Sequence, residues 1–196
     1  MTMIWYACYG SNMNLKRFLL YLQGGKLLVN GQEKSYTSCI DDTQEPRDTE
    51  PYIIRRYLYF AKESKTWDQH GVAFISTEED MECFTYARLY LISRKQFEHL
   101  YAVENSRRTT SINYDILNEQ KYQDFDYSFY NRIIQLEDSY RGYPILTFTN
   151  KEIMPSNKPL QEYAQLIAAG INEVRQVGKD DLKSYFKTCG IELELE

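Results

Sequence analysis

The sequence predicts a mixed α+β fold in which mostly antiparallel strands outnumber the helices. Three observations carry this reading. Segments rich in β-branched and aromatic residues recur along the chain, several of them only a turn apart, as at 53–61 and 71–76. Four other segments place apolar residues at helical spacing. Strands and helices do not alternate regularly, so a parallel sheet of βαβ units is not indicated.

The first strand is Ile4-Trp5-Tyr6-Ala7-Cys8-Tyr9, and it runs into Gly10-Ser11-Asn12. A helix follows, with Leu15, Phe18, Leu19 and Leu22 at i, i+3, i+4 and i+7. Glycine permits a sharp turn there, and Ser11 or Asn12 is expected to cap the helix. A strand that ends where a helix begins leaves N–H groups unpaired, which suits a carboxylate or a developing oxyanion as well as it suits an ordinary capped turn. Gln23-Gly24-Gly25 ends the helix. From about 26 to 51 the chain is polar, and an irregular excursion holding turns or a short helix is expected. Strands are expected at 53–61, 71–76 and 82–92, and then a helix at 94–103 with Ser93 as its N-cap. A second β region is expected at 109–117, 130–136 and 143–149. Helices over 159–170 and 182–187 complete the chain. There is no internal repeat, and one domain over 1–196 is long enough to bury a substantial core.

A net charge of −5 argues against a nucleic-acid surface, and Arg55-Arg56 and Arg107-Arg108 are isolated pairs. No apolar run approaches the roughly 18–20 residues that cross a bilayer, and the N-terminus lacks a signal-peptide pattern. Cys8, Cys39, Cys83 and Cys189 are scattered without a Cys-x-x-Cys pair, which fits a cytoplasmic protein with reduced thiols. Tyrosine is abundant, at 18 residues, and suits a pocket that needs apolar walls with hydroxyl tips. Only His70 and His99 are present, so a histidine-dependent triad has little to draw on. No metal-ligand cluster and no nucleotide-binding glycine pattern can be assembled, so neither metal nor cofactor is expected. Cys8 reads as a buried structural thiol rather than a nucleophile.

The helix at 94–103 carries the most telling residue. Its apolar stripe runs Phe97, Leu100 and Tyr101, and the next position at that spacing is Glu104. A carboxylate there must be paired, protonated or facing a cavity, unless the stripe simply runs out into solvent.

Tyr9-Gly10-Ser11-Asn12 after an aromatic strand resembles the signature of the γ-glutamylcyclotransferase-like family. Leu100-Tyr101-Ala102-Val103-Glu104-Asn105 is similar to that family's helix-ending Leu-x-x-x-Glu-Gly, with asparagine in place of glycine. Asparagine also tolerates a left-handed backbone. Tyr59 through Trp67, Gly71-Val72-Ala73-Phe74-Ile75, and Pro155-Ser156 with Tyr163, Ile167 and Gly170 extend the likeness over roughly residues 4–174. The resemblance implies a barrel-like sheet with flanking helices and a small-molecule γ-glutamyl substrate, with no metal, cofactor, nucleic acid or membrane involved. It implies Glu104 as the catalytic proton carrier, with Cys8, Tyr9, Gly10, Ser11, Asn12 and Tyr163 around the substrate. The reaction implied is closure of a γ-glutamyl amide to 5-oxoproline with release of an amine. The excursion at 26–51 and the missing glycine depart from the family, and the leaving group and oligomeric state stay open. The alternative is a non-catalytic module that binds γ-glutamyl or other small amides on the same fold.

Overall fold

The structure, a computed structural model, describes residues 2–29 and 31–195. Its strands are β1 (Met3–Cys8), β2 (Gly25–Val29), β3 (Gln32–Tyr36), β4 (Thr49–Ile54), β5 (Leu58–Ser64), β6 (His70–Ile75), β7 (Thr85–Ser93), β8 (Tyr122–Asp124), β9 (Arg132–Tyr140) and β10 (Tyr143–Thr149). Its helices are α1 (Leu15–Gln23), α2 (Arg94–Glu104), α3 (Tyr114–Gln120), α4 (Gln161–Val174) and α5 (Lys179–Thr188).

The apolar character of β1 is explained by its place. It is buried along its whole length near the centre of a six-stranded sheet of order β4-β7-β1-β10-β9-β8. It pairs antiparallel with β7, Trp5 opposite Leu91, and parallel with β10, Trp5 opposite Ile145. The other ladders of this sheet are antiparallel. Pro51 lies in β4, an edge strand, where a residue without an N–H does least harm. The opposite edge, β8, is only three residues long.

The β5–β6 hairpin is a separate ladder, tied to the end of β10 by the Thr149 hydroxyl, which accepts from Ile75 N at 3.2 Å and donates to Ile75 O at 2.6 Å. At Ala73 in β6, tyrosines serve the backbone groups that face away from β5. Ala73 N donates to the Tyr163 hydroxyl at 3.1 Å, and the Tyr130 hydroxyl donates to Ala73 O at 3.2 Å. Tyrosine abundance thus has a structural use as well as a chemical one.

Three sequence expectations need correction. The strand expected over 53–61 is two strands, because the chain leaves the main sheet at Arg55-Arg56-Tyr57. Arg56 is buried there, its side chain donating to Thr77 O and its carbonyl accepting from the Thr85 hydroxyl at 2.7 Å. The excursion at 26–51, expected to hold turns or a short helix, begins with a hairpin, β2 and β3 pairing from Gly25–Tyr36 to Val29–Gln32, and its last three residues belong to β4. The strand expected over 109–117 gives way to α3, because the Asn113 side chain accepts from the amides of both Asp115 and Ile116 at 3.1 Å and starts a helix.

α4 crosses directly beneath the turn that follows β1. A Cβ placed on Gly170 would lie 2.5 Å from Met13 backbone carbon and 2.6 Å from Asn14 N, so only glycine allows this approach. Gly170→Ala is therefore expected to destabilise the protein by about 1–3 kcal/mol through overpacking against backbone that cannot move aside. Urea denaturation should show a lower midpoint with an unchanged slope, whereas an unchanged midpoint would mean that the two segments separate freely.

Candidate active site

The turn after β1 is a short 3-10 helix, Ser11–Met13, held by Met13 N to Gly10 O at 3.0 Å and Asn14 N to Ser11 O at 3.2 Å. This extra turn shifts the helix cap from the expected Ser11 or Asn12 to Asn14, whose side-chain oxygen accepts from Arg17 N at 3.1 Å. The turn's carbonyls point inward. The single proton of the Tyr90 hydroxyl is shared between Asn12 O at 2.9 Å and Met13 O at 3.1 Å, and Arg88 Nη1 donates to Met13 O at 2.9 Å. Arg88 is in turn paired with Glu173, 2.5 Å away, and Glu173 also accepts from Leu15 N at 3.0 Å and from the Asn14 side chain at 2.6 Å. With the carbonyls engaged below, the amides of Gly10, Ser11 and Asn12 have no backbone partner among the described residues.

Glu104 ends α2, a helix opened by a reciprocal capping box between Ser93 and Gln96. The Asn12 side-chain nitrogen donates to Glu104 Oε1 at 2.9 Å, joining positions 92 residues apart. The next residue, Asn105, keeps φ at −96° rather than turning left-handed, and the positive φ falls on Ser106, at 55°. Asn105 instead clamps the helix end, donating to Tyr101 O at 3.0 Å and accepting from Tyr130 N at 2.9 Å.

Cys8, Tyr9, Gly10, Ser11, Asn12, Glu104 and Tyr163 all line one cavity of about 350 Å³. Their manner of lining it differs. The Tyr9 hydroxyl is spent on Phe148 O at 2.5 Å, so Tyr9 offers its ring and backbone rather than a free hydroxyl. The Tyr163 hydroxyl lies 3.1 Å from where a Gly10 side chain would begin, and its ring stands edge-on to Trp67 with centroids 4.9 Å apart. Burial pushes the Tyr163 hydroxyl up to about 12 and the Cys8 thiol likewise to about 12, so both stay protonated at neutral pH. Among the described residues no three His, Cys, Asp or Glu side chains come together to hold a metal ion, and no helix is long and apolar enough to cross a membrane.

The sequence reading missed several walls of the cavity: Arg17 and Tyr21 on α1, Lys34 and Tyr36 on β3, and Trp67 and Tyr130. The buried face of α1 is Arg17, Phe18, Tyr21 and Leu22: the expected stripe holds at Phe18 and Leu22, while Leu15 and Leu19 are only half-buried. Arg17 and Tyr21 lie one helical turn apart, and that spacing was the available signal. Burial, and then the Glu104 carboxylate, push the Tyr21 hydroxyl well above its ordinary value. Partial desolvation holds the Lys34 ammonium below its ordinary value, with Glu104 opposing and Arg17 adding to the effect.

No protein-family model matches the chain. Two solved structures share its fold: a gamma-glutamyl cyclotransferase, at TM-score 0.53 with 98% of this chain and 90% of that one covered, and an uncharacterized protein from Homo sapiens, at TM-score 0.56 with 99% and 90% covered. At 14% identity in both cases, the likeness is one of fold. The chain is also 29% identical over 201 residues to Histone deacetylase 5 of Arabidopsis thaliana, covering 93% of this chain. It spans about 30% of the length of that curated relative.

The state of Cys8 gives a direct check on the cavity's chemistry. Alkylation by iodoacetamide at pH 8, followed by mass spectrometry, is expected to be roughly 100-fold or more slower at Cys8 in the folded protein than in the denatured chain. Labelling at equal rates would mean that the thiol is neither buried nor held neutral.

Proposed function

We propose that the protein catalyses intramolecular aminolysis of a γ-glutamyl amide, releasing 5-oxoproline and an amine. The observation that carries this reading is the Glu104 carboxylate, held by Asn12 at 2.9 Å, in a cavity that Gly10, Ser11 and Asn12 also line and where the amides of those three have no backbone partner among the described residues. A cavity of about 350 Å³ matches a small ligand of dipeptide size. The fold shared with a gamma-glutamyl cyclotransferase supports the same reading.

The α-amine and the γ-carbonyl belong to one molecule, and closing a five-membered ring brings them together, so proximity is largely supplied by the substrate. What the protein must add is proton transfer and stabilisation of the tetrahedral oxygen. Glu104 takes a proton from the α-ammonium, and the freed amine attacks the γ-carbon. The turn amides receive the negative charge that develops on the oxygen. Glu104 then returns its proton to the leaving nitrogen as the carbon–nitrogen bond breaks. The ring nitrogen still carries two protons after the attack, and Glu104, once it has given up the first, takes one of them and passes it to the departing amine. One proton thus stays on the lactam nitrogen and two go with the leaving group, which departs as an ammonium ion. The Tyr163 hydroxyl and the neutral Cys8 thiol shape the wall without exchanging protons.

Glu104→Gln keeps the shape and the bond to Asn12 but removes the base. Release of 5-oxoproline from γ-glutamyl amides is expected to fall by roughly 10²–10⁴-fold, with ligand affinity changed far less. Equal turnover by the variant would remove Glu104 from the mechanism. A wild-type protein that binds γ-glutamyl amides and converts none of them would instead be a binding module.

A further inference from the structure

Arg17 is 5% exposed, yet no described carboxylate forms an ion pair with it. Its Nε donates to the Ser11 hydroxyl at 2.7 Å, Nη1 to the Tyr36 hydroxyl at 3.0 Å and Nη2 to the Tyr21 hydroxyl at 3.5 Å. All three partners are neutral. The rings of Tyr21, Tyr36 and Trp67 flank the guanidinium, the last with its centroid 5.3 Å from the guanidinium carbon. A guanidinium carries five N–H donors, so two remain beyond these three bonds. Withdrawing a cation from water is strongly unfavourable unless an anion compensates it, and neutral hydroxyls and ring faces compensate only in part. Arg17 lines the same cavity as Glu104, whose charge favours the guanidinium, but Glu104 is bonded to Asn12 and forms no direct ion pair with Arg17.

A second, independent observation lies one residue from Ser11. Asn12 is 6% exposed, and its side-chain oxygen is buried without any hydrogen-bond partner. The Glu104 carboxylate fixes which end of the amide is nitrogen, so the free end is an acceptor. An unpartnered acceptor beside a carboxylate suits a positively charged N–H donor. The cavity therefore presents cation-binding groups at Asn12 and Glu104, and an anion-binding group at Arg17, reached through the adjacent residue Ser11. Lys34 and Lys65, against Glu63, add positive charge to the lining of a chain whose net charge is −5.

We infer that Arg17 is the carboxylate subsite of this cavity and that the ligand carries an α-amino acid head, its carboxylate on Arg17 and its ammonium on Asn12 and Glu104. That the remainder of the ligand is a γ-glutamyl amide rests on the proposed function; the zwitterionic head does not. The inference makes Arg17 the residue that selects γ-glutamyl amides over 4-aminobutanoyl amides, which lack only the α-carboxylate and are able to close to a lactam by the same bond formation.

The test is isothermal titration of the whole protein with L-glutamine, the simplest γ-glutamyl amide, and with 4-aminobutanamide, the same molecule without its carboxylate. Wild type is expected to bind L-glutamine roughly 10–100-fold more tightly, the usual worth of a hydrogen bond to a charged group. Arg17→Gln is expected to bring L-glutamine down to the level of 4-aminobutanamide and to leave the latter's affinity as it was. Arg17→Lys, which keeps the charge but not the fork, should lose part of the preference. Equal binding of the two ligands by wild type overturns the inference with no variant needed. An Arg17→Gln protein that loses both ligands equally also overturns it, since that outcome marks a purely structural residue. The two readings separate cleanly: an Arg17-dependent preference without 5-oxoproline release removes the enzyme and keeps the subsite, and release from both amides at equal rates does the reverse.

Discussion

Everything in this molecule's cavity depends on which way the backbone of residues 10–14 faces. A turn buried at the edge of a core must satisfy its carbonyls, and here Tyr90 and Arg88 on β7 do so from below. The absence of a side chain at Gly170 lets α4 press against Met13 and hold the turn from another side. Glu173, near the end of α4, ties the first turn of α1 to Arg88. The interior thus absorbs the carbonyls of Asn12 and Met13, while the amides of Gly10, Ser11 and Asn12 have no backbone partner among the described residues. The ligand role proposed for this turn rests on that packing.

The second consequence concerns charge. Burial pushes up the hydroxyls of Tyr6, Tyr9, Tyr21, Tyr130 and Tyr163 and the Cys8 thiol, so these groups are set aside as neutral. Arg17, buried, and Glu104, half-buried, line the cavity together with Lys34, Glu63 and Lys65, and Arg17 and Glu104 form no ion pair with each other. Charges left unpaired in such a cavity are unfavourable in the empty protein. They become favourable when a ligand brings the complementary pair, which is the sense in which a site can be organised for its substrate at the expense of stability.

Much of this was legible in the sequence where local chemistry and global packing agree. The β1 strand, its Gly-Ser-Asn turn and the Glu104 position were readable because an aromatic strand, a glycine and a carboxylate at the end of an apolar stripe each signal their place. Tyr163, expected near the substrate from the resemblance, lines the same cavity. The cap was misread because a 3-10 turn inserted three residues before the helix, a detail that composition does not encode. Lys26 to Tyr36 looked irregular because β3 carries Gln, Glu, Lys and Ser rather than β-branched residues, and the apolar run Leu27-Leu28-Val29 of β2 is too short to declare a strand without that partner's register. Ile112, Tyr114 and Ile116 alternate as a strand would, but the Asn113 side chain captures two amides and turns that stretch into a helix. Arg17 was passed over because a cation inside an apolar helix reads as solvent-facing, and only the cavity behind Tyr21 and Tyr36 gives it a reason to be buried. The missed residues are those whose role needs partners from distant segments.

The chemistry proposed for this cavity is ring closure, rather than hydrolysis or simple retention of an amide. The most direct measurement is conversion of a γ-glutamyl amide carrying ¹⁵N at its α-amine, followed by nitrogen NMR. The account predicts that the label appears in the lactam nitrogen of 5-oxoproline, with no free glutamate formed. Labelled glutamate as the product, or a bound and unchanged substrate, would contradict it.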